Sequence, residues 1–132
     1  MAYVSNIIVC LNAKNDENGV CANNILTALT PEYIPGLFTF SVIIALLDID
    51  VSQEHNFIVD FITPDDVSVV HIDGKLPCLE DKSNLPPEYK GVNIAMDWTN
   101  VNLKSSGEYK IIFTIDEVTT EKGIYVKGQN ET

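Results

Sequence analysis

Residues 38–47 read FTFSVIIALL, and this stretch decides the fold. Every second residue from position 38 to position 46 is apolar, which is the period of a β-strand that turns one face to a core. The opposite face begins with Thr39 and Ser41 and becomes apolar at Ile43. The pattern therefore predicts a central strand whose second half is covered on both faces.

The same alternation recurs along the chain. Further strands are predicted at residues 4–11, 20–30, 57–62, 67–72, 92–98, 109–115 and 123–127, with a hairpin loop at 117–120. After Asn100 the apolar phase shifts by one residue, which predicts a bulge or an edge turn. Seven or eight short strands separated by turns predict an all-β fold, an antiparallel β-sandwich, with residues 1–132 as a single domain.

The segment Gly107-Glu108-Tyr109 refines this prediction. A tyrosine that opens the penultimate strand directly after a glycine turn resembles the tyrosine corner of immunoglobulin-like sandwiches. The position of Tyr109 before the last hairpin favours an immunoglobulin-like antiparallel β-sandwich. A tyrosine that is simply packed in the core is the alternative.

The order of short motifs along the chain resembles a known type of protein. These motifs are Asn18-Gly19, Ile34-Pro35, Gly107-Glu108-Tyr109 and the closing run at 124–128. This layout is similar to a family of small uncharacterised bacterial and phage-encoded β-sandwich proteins, classed as a domain of unknown function. The resemblance implies an immunoglobulin-like sandwich, and it brings no activity or site residues.

The charge balance excludes several partners. Eight lysines, no arginine and nineteen acids give a formal net charge of −11. Without guanidinium groups or a basic cluster, the chain is a poor match for nucleic acid or an anionic membrane surface. Residues 37–47 form the longest apolar stretch, well short of the ~20 residues that a spanning helix needs. No signal segment opens the sequence, so a cytoplasmic protein is expected.

The three cysteines, Cys10, Cys21 and Cys78, show no Cys-x-x-Cys spacing and indicate neither zinc nor redox chemistry. If Leu11 faces Val20 across a turn, Cys10 and Cys21 lie opposite each other and can form a cross-strand disulfide. The alternative is that they are free buried thiols.

No residue pattern points to catalysis. His55 and His71 occur in no metal-ligand or general-base spacing, and no nucleophile or phosphate-binding motif is present. Four acidic pairs fall in predicted turns, where solvated loop charge explains them better than calcium does. The sequence therefore predicts no enzyme activity, no catalytic residues, no cofactor and no metal.

The resulting functional hypothesis is a non-catalytic protein-binding module. Loops carry binding in such folds, and the candidate anchors are Tyr33, Leu37 and Tyr89, in or beside the loops at 31–36 and 77–89. One alternative is a structural or accessory subunit that forms a homo-oligomer through an exposed edge at 123–127. A second alternative is an acidic mimic of nucleic acid that inhibits a basic protein.

Overall fold

The computed structural model describes residues 3–16, 19–50, 52–77 and 91–129. Within these residues the chain forms strands and no helix, which confirms the all-β prediction. The strands are β1 (Tyr3–Asp16), β2 (Gly19–Ile25), β3 (Ala28–Leu29), β4 (Gly36–Leu47), β5 (His55–Ile62), β6 (Ser68–Leu76), β7 (Gly91–Leu103), β8 (Gly107–Ile115) and β9 (Val118–Val126). The described strands number nine because the strand predicted at 20–30 is divided into β2 and β3.

Two sheets pack face to face around one core. The first has the order β2-β1-β4-β7, and the second has the order β3-β9-β8-β5-β6. Aromatic rings join the two sheets at the centre. The Phe40 ring lies 5.7 Å from Phe61 and 5.3 Å from Trp98, measured between centroids. Phe61 and Trp98 are 5.6 Å apart, so the three rings form one cluster between the sheets.

Strand β4 matches its prediction. It lies between β1 and β7, and its outward-facing Ser41 and Ile43 are 3% and 4% exposed. The predicted bulge is also present, because Phe38 pairs with Val101 while Phe40 pairs with Trp98, which leaves two residues of β7 opposite one of β4. The bulged strand bends there.

Tyr109 is buried and hydrogen-bonded to the turn that precedes its strand. Its ring is fully buried, and its hydroxyl donates to the carbonyl of Ser105 at 2.9 Å. Gly107, two residues earlier, has a φ of 138°, and a side chain there would meet the Pro64 ring. Glycine is therefore required at the turn that brings Tyr109 into the core.

The predicted hairpin loop at 117–120 is wrong. Ile115 pairs directly with Val118, so Asp116 and Glu117 alone make the turn. Both have positive φ values, 48° and 68°. A two-residue turn of this kind follows the right-handed twist of the flanking strands, which lets pairing continue almost to the tip.

Of the two alternatives for Cys10 and Cys21, the structure has free thiols and not a cross-strand disulfide. Cys10 pairs with Ile25 and Cys21 pairs with Lys14, because β1 continues to Asp16 and moves the register along. Cys10 is a buried free thiol and Cys21 an exposed one. Burial raises the pKa of the Cys10 thiol, so this group stays protonated at neutral pH. Cys78 lies outside the described residues.

The prediction that residues 123–127 form an exposed sheet edge is wrong at the end of β9. Tyr125 and Val126 pair with Ala28 and Leu29 of β3, respectively, in a parallel ladder, which covers this part of β9. In the portion of the chain described, the long edge of the first sheet is β7 and the edge of the second sheet beside it is β6.

Candidate functional site

Three connections meet at one end of the sandwich. They are the connection from β3 to β4 at 30–35, the connection from β5 to β6 at 63–67 and the connection from β7 to β8 at 104–106. The strand ends beside these connections pair with one another. Tyr33, Leu37 and Val67 are 60%, 62% and 60% exposed there, and we call the surface they form the apolar end. Asn102 connects Leu37 and Val67, because it pairs with Leu37 across the strands and lines a cavity together with Val67.

The loop that carries Tyr33 is held by hydrogen bonds. Gln129 donates its backbone N–H to the carbonyl of Pro31 at 2.9 Å and its side-chain amide to the carbonyl of Thr30 at 2.8 Å. The Tyr33 carbonyl packs against Gly36, where a β-carbon would come within 2.3 Å of the oxygen. Tyr33 is therefore presented to solvent on a fixed loop, which lowers the entropy cost of using it as an anchor.

The turn that carries Val67 is organised by Thr63. The Thr63 hydroxyl accepts hydrogen bonds from the backbone N–H groups of Asp65 and Val67, at 3.2 and 3.1 Å. The Asp66 N–H donates to the Thr63 carbonyl at 3.0 Å. This turn holds Val67 in the open while its backbone polar groups are satisfied.

The sequence-predicted site residues are thus brought together only in part. Tyr33 and Leu37 lie at the same end of the sandwich and are exposed by more than half. Tyr89 lies outside the described residues. Val67 was missed by sequence reasoning, because an apolar residue at the start of a predicted strand gives no sign that it faces solvent.

The opposite end carries a polar network around His55. Its side chain is only 9% exposed, whereas the sequence placed it in a polar surface turn. The Nδ1 atom lies 2.7 Å from a carboxylate oxygen of Asp116, and Nε2 lies 2.7 Å from the Asp50 carbonyl. With acceptors at both nitrogens, the ring is held as a doubly donating imidazolium and offers no free nitrogen for proton transfer.

The hydrogen bond to Asp116 raises the pKa of His55 above its ordinary value, and the Asp50 carbonyl acts in the same direction, while burial opposes both. The protonated ring therefore joins the β4–β5 loop to the β8–β9 turn. We interpret this network as a structural connection, because its nitrogens are already used.

A pH dependence of stability follows from the raised pKa. The contribution of His55 is complete below its unfolded-state pKa of ~6.5 and is lost as the pH rises through the higher folded-state pKa. The free energy of unfolding should therefore fall as denaturant titrations move from about pH 6 towards about pH 9. His55→Gln should flatten this slope and His71→Gln should preserve it. Equal slopes in the wild type and His55→Gln would contradict the assignment.

A second histidine pair lies on the outer face of the five-stranded sheet. His71 Nδ1 is 2.6 Å from an Asp60 carboxylate oxygen that also accepts a hydrogen bond from the Ser68 hydroxyl. The serine points to the aspartate and not to the histidine, so the trio lacks the order of a nucleophilic triad. His71 is 58% exposed, and its contact with Asp60 is typical of a cross-strand pair on the surface of a sheet.

A groove runs between the edges of the two sheets, β6 and β7. Two cavities of about 230 and 300 Å³ share Val69 and Asn102 in their linings. Val70, Trp98 and Val101 line the larger one. Trp98 is 4% exposed, and its Nε1 is the buried side-chain polar atom without a hydrogen-bond partner among the described residues. Such an orphaned donor costs about 1–3 kcal/mol.

No cluster of three or more His, Cys, Asp or Glu side chains is suited to hold a metal ion in the described ranges of the chain. None of the described segments forms a helix of the length and apolar character needed to cross a membrane.

A protein-family model matches most of the chain. Residues 5–126 match the model described as "Family of unknown function (DUF6941)", and this range includes all or part of every strand from β1 to β9. The chain belongs to this family. No curated protein matches the chain at a significant level.

Membership of DUF6941 assigns no activity, so the candidate site rests on geometry. The matched range contains the apolar end, the His55 network and the groove beside β7. Sequence reasoning missed the last two. The partner of His55 is Asp116, far away in the chain, and the groove arises where two sheets meet. No local residue pattern signals either arrangement.

Proposed function

We propose that this member of DUF6941 is a non-catalytic protein-binding module of the cytoplasm, and that the apolar end is its contact surface. The observation that carries the proposal is the exposure of Tyr33 and Leu37 on a hydrogen-bonded loop and a strand end. Tyrosine contributes strongly to binding when a partner covers it, and fixed anchors lose little entropy on binding.

The contrast between the two ends of the molecule supports this choice. At the His55 end, polar groups are paired with one another, whereas the apolar end leaves three large side chains in solvent. With a net charge of −11 and no arginine, a protein is a better partner than nucleic acid.

We also propose that the sandwich is immunoglobulin-like. Support comes from the order β1-β4-β7 in one sheet and β9-β8-β5-β6 in the other, which corresponds to strands A-B-E and G-F-C-C′ of that fold. The Tyr109 hydrogen bond to Ser105 is the further support. The chain departs from antibody domains at its described cysteines, since both Cys10 and Cys21 lie in the four-stranded sheet.

The test uses a double variant of the apolar end. Tagged wild type and Tyr33→Ser/Leu37→Ser are passed through lysate of the source cells at low and at high salt, and the retained proteins are identified by mass spectrometry. The variant should lose a partner that the wild type retains at high salt, because the apolar anchors are gone. Its melting temperature should stay nearly unchanged, since both side chains are exposed.

The matched control is Tyr125→Ser/Ile58→Ser, which removes one exposed tyrosine and one exposed aliphatic residue from the face of the five-stranded sheet. This control should retain the partner. A partner that both variants keep, or that both lose, would contradict the assignment of the surface. A basic partner lost only at high salt would support acidic mimicry instead.

A further inference from the structure

We propose that the groove between β6 and β7 binds an extended, lysine- or arginine-bearing segment of another protein, which adds as a strand to the edge of β7. This inference rests on the proposed protein-binding function and names the class of partner. Strand addition supplies affinity through backbone hydrogen bonds and specificity through pockets for alternate side chains.

The edge of β7 is open to pairing. In the ranges that the structure describes, β7 is thirteen residues long and pairs with β4 alone. Sheet edges are usually protected by lysine, proline or a bulge. Strand β7 contains no lysine and no proline. Its bulge lies at Thr99 and Asn100, which line the larger cavity, so the unprotected edge from Gly91 to Trp98 leads directly into the groove.

The groove beside this edge suits the side chains of an extended peptide. Its cavities, about 230 and 300 Å³, adjoin through Val69 and Asn102. Valine side chains from both edges, Val69 and Val101, offer contacts for apolar residues. The neighbouring Asn100 and Asn102 place amide groups where a peptide backbone needs hydrogen-bond partners.

Trp98 supplies an independent observation. It lines the larger cavity, and its buried Nε1–H lacks an acceptor among the described residues. Buried donors in native proteins are nearly always paired. A carbonyl oxygen of a peptide seated in the groove is a suitable acceptor, so peptide binding would satisfy a donor that the free protein leaves unpaired.

Charge distinguishes the partner from a second copy of the chain. Asp65 and Asp66 lie in the turn that carries Val67, a residue of the groove lining, and Lys104 is the one cation in the linings of these two cavities. A second copy would bring the same acidic surface and another net charge of −11. A segment with basic residues on either side of an apolar stretch is complementary to this rim.

The test uses a synthetic probe. It is an acetylated and amidated peptide of about nine residues, with alternating valine and threonine between terminal lysines. Because Trp98 is the only tryptophan, its fluorescence and its indole N–H resonance report on the groove. Titration should move the indole resonance downfield and shift amide resonances of β6 and β7. A peptide with glutamates in place of the lysines should bind at least about tenfold more weakly.

Two matched variants place the site. Asn102→Arg introduces a long side chain at the groove and should weaken probe binding at least about tenfold, whereas Asn12→Arg, at an exposed position on β1, should change it by less than about twofold. Both add one positive charge to an exposed site, so a difference between them reflects the groove. The Tyr33→Ser/Leu37→Ser variant should bind the probe normally.

Four results would overturn the proposal. One is an indole resonance that stays fixed at millimolar peptide, and another is equal weakening by the two arginine variants. The third is an indole shift that depends on protein concentration without peptide, which would identify a second copy as the occupant. Probe binding that is lost in Tyr33→Ser/Leu37→Ser and kept in Asn102→Arg would reject the groove and support the apolar end as the binding site.

Discussion

Phe40→Ala is expected to lower the free energy of unfolding by about 3–5 kcal/mol, the largest loss among the substitutions considered. The Phe40 ring is fully buried and contacts the rings of Phe61 and Trp98. Its removal leaves a cavity between the two sheets and takes away aromatic contacts from both. Urea unfolding followed by circular dichroism measures the change.

The control for this substitution is Leu37→Ala on the same strand. Leu37 is 62% exposed, so its truncation should change the stability by less than about 0.5 kcal/mol. A loss below about 1 kcal/mol for Phe40→Ala would mean that the sheets do not pack through this ring.

Tyr109→Phe is expected to lower the free energy of unfolding by about 1–3 kcal/mol. The substitution keeps the buried ring, which lies 5.2 Å from Phe61, and removes only the hydroxyl that donates to the Ser105 carbonyl. That carbonyl then loses its partner in a partly buried turn. The same unfolding experiment applies.

Tyr125→Phe is the matched control, because Tyr125 is 62% exposed and its hydroxyl is accessible to water. Its stability should stay within about 0.5 kcal/mol of the wild type. Equal effects of the two substitutions would show that the hydrogen bond of Tyr109 contributes no more than a solvated hydroxyl.

The features that sequence reasoning predicted correctly are local. The strand at 38–47, the bulge after Asn100 and the burial of Tyr109 each leave a mark within a few neighbouring residues: an alternation, a phase shift or a glycine before a tyrosine. Periodicity identifies a strand because one face must be covered, and this requirement holds whichever strand lies beside it.

The features that sequence reasoning missed depend on strand register and on the pairing of strands that are far apart in the chain. The β1–β2 register differs from the predicted one by four positions along β1, and this separates Cys10 from Cys21. The parallel contact of β3 with β9 leaves no local mark, since two residues are too few to show a period. The register of two paired strands is set by the turn that joins them and by the face that is buried. The amino-acid composition determines neither of these.

The candidate site divides in the same way. The exposure of Tyr33 and Leu37 agrees with their position around a proline-flanked loop, which sequence can identify. The groove at Trp98 requires knowledge that β6 and β7 are the edges of different sheets. Sequence reasoning could place Trp98 on a strand but could not find the opening beside it.

The parallel pairing of β3 with β9 has a consequence for protein synthesis. A ribosome makes the loop that carries Tyr33 well before Gln129, whose amide groups fix this loop. Until then β3 has no strand to pair with, so a nascent or truncated chain lacks a finished apolar end. A partner that recognises this surface would therefore distinguish chains in which β9 has paired with β3 from chains in which it has not.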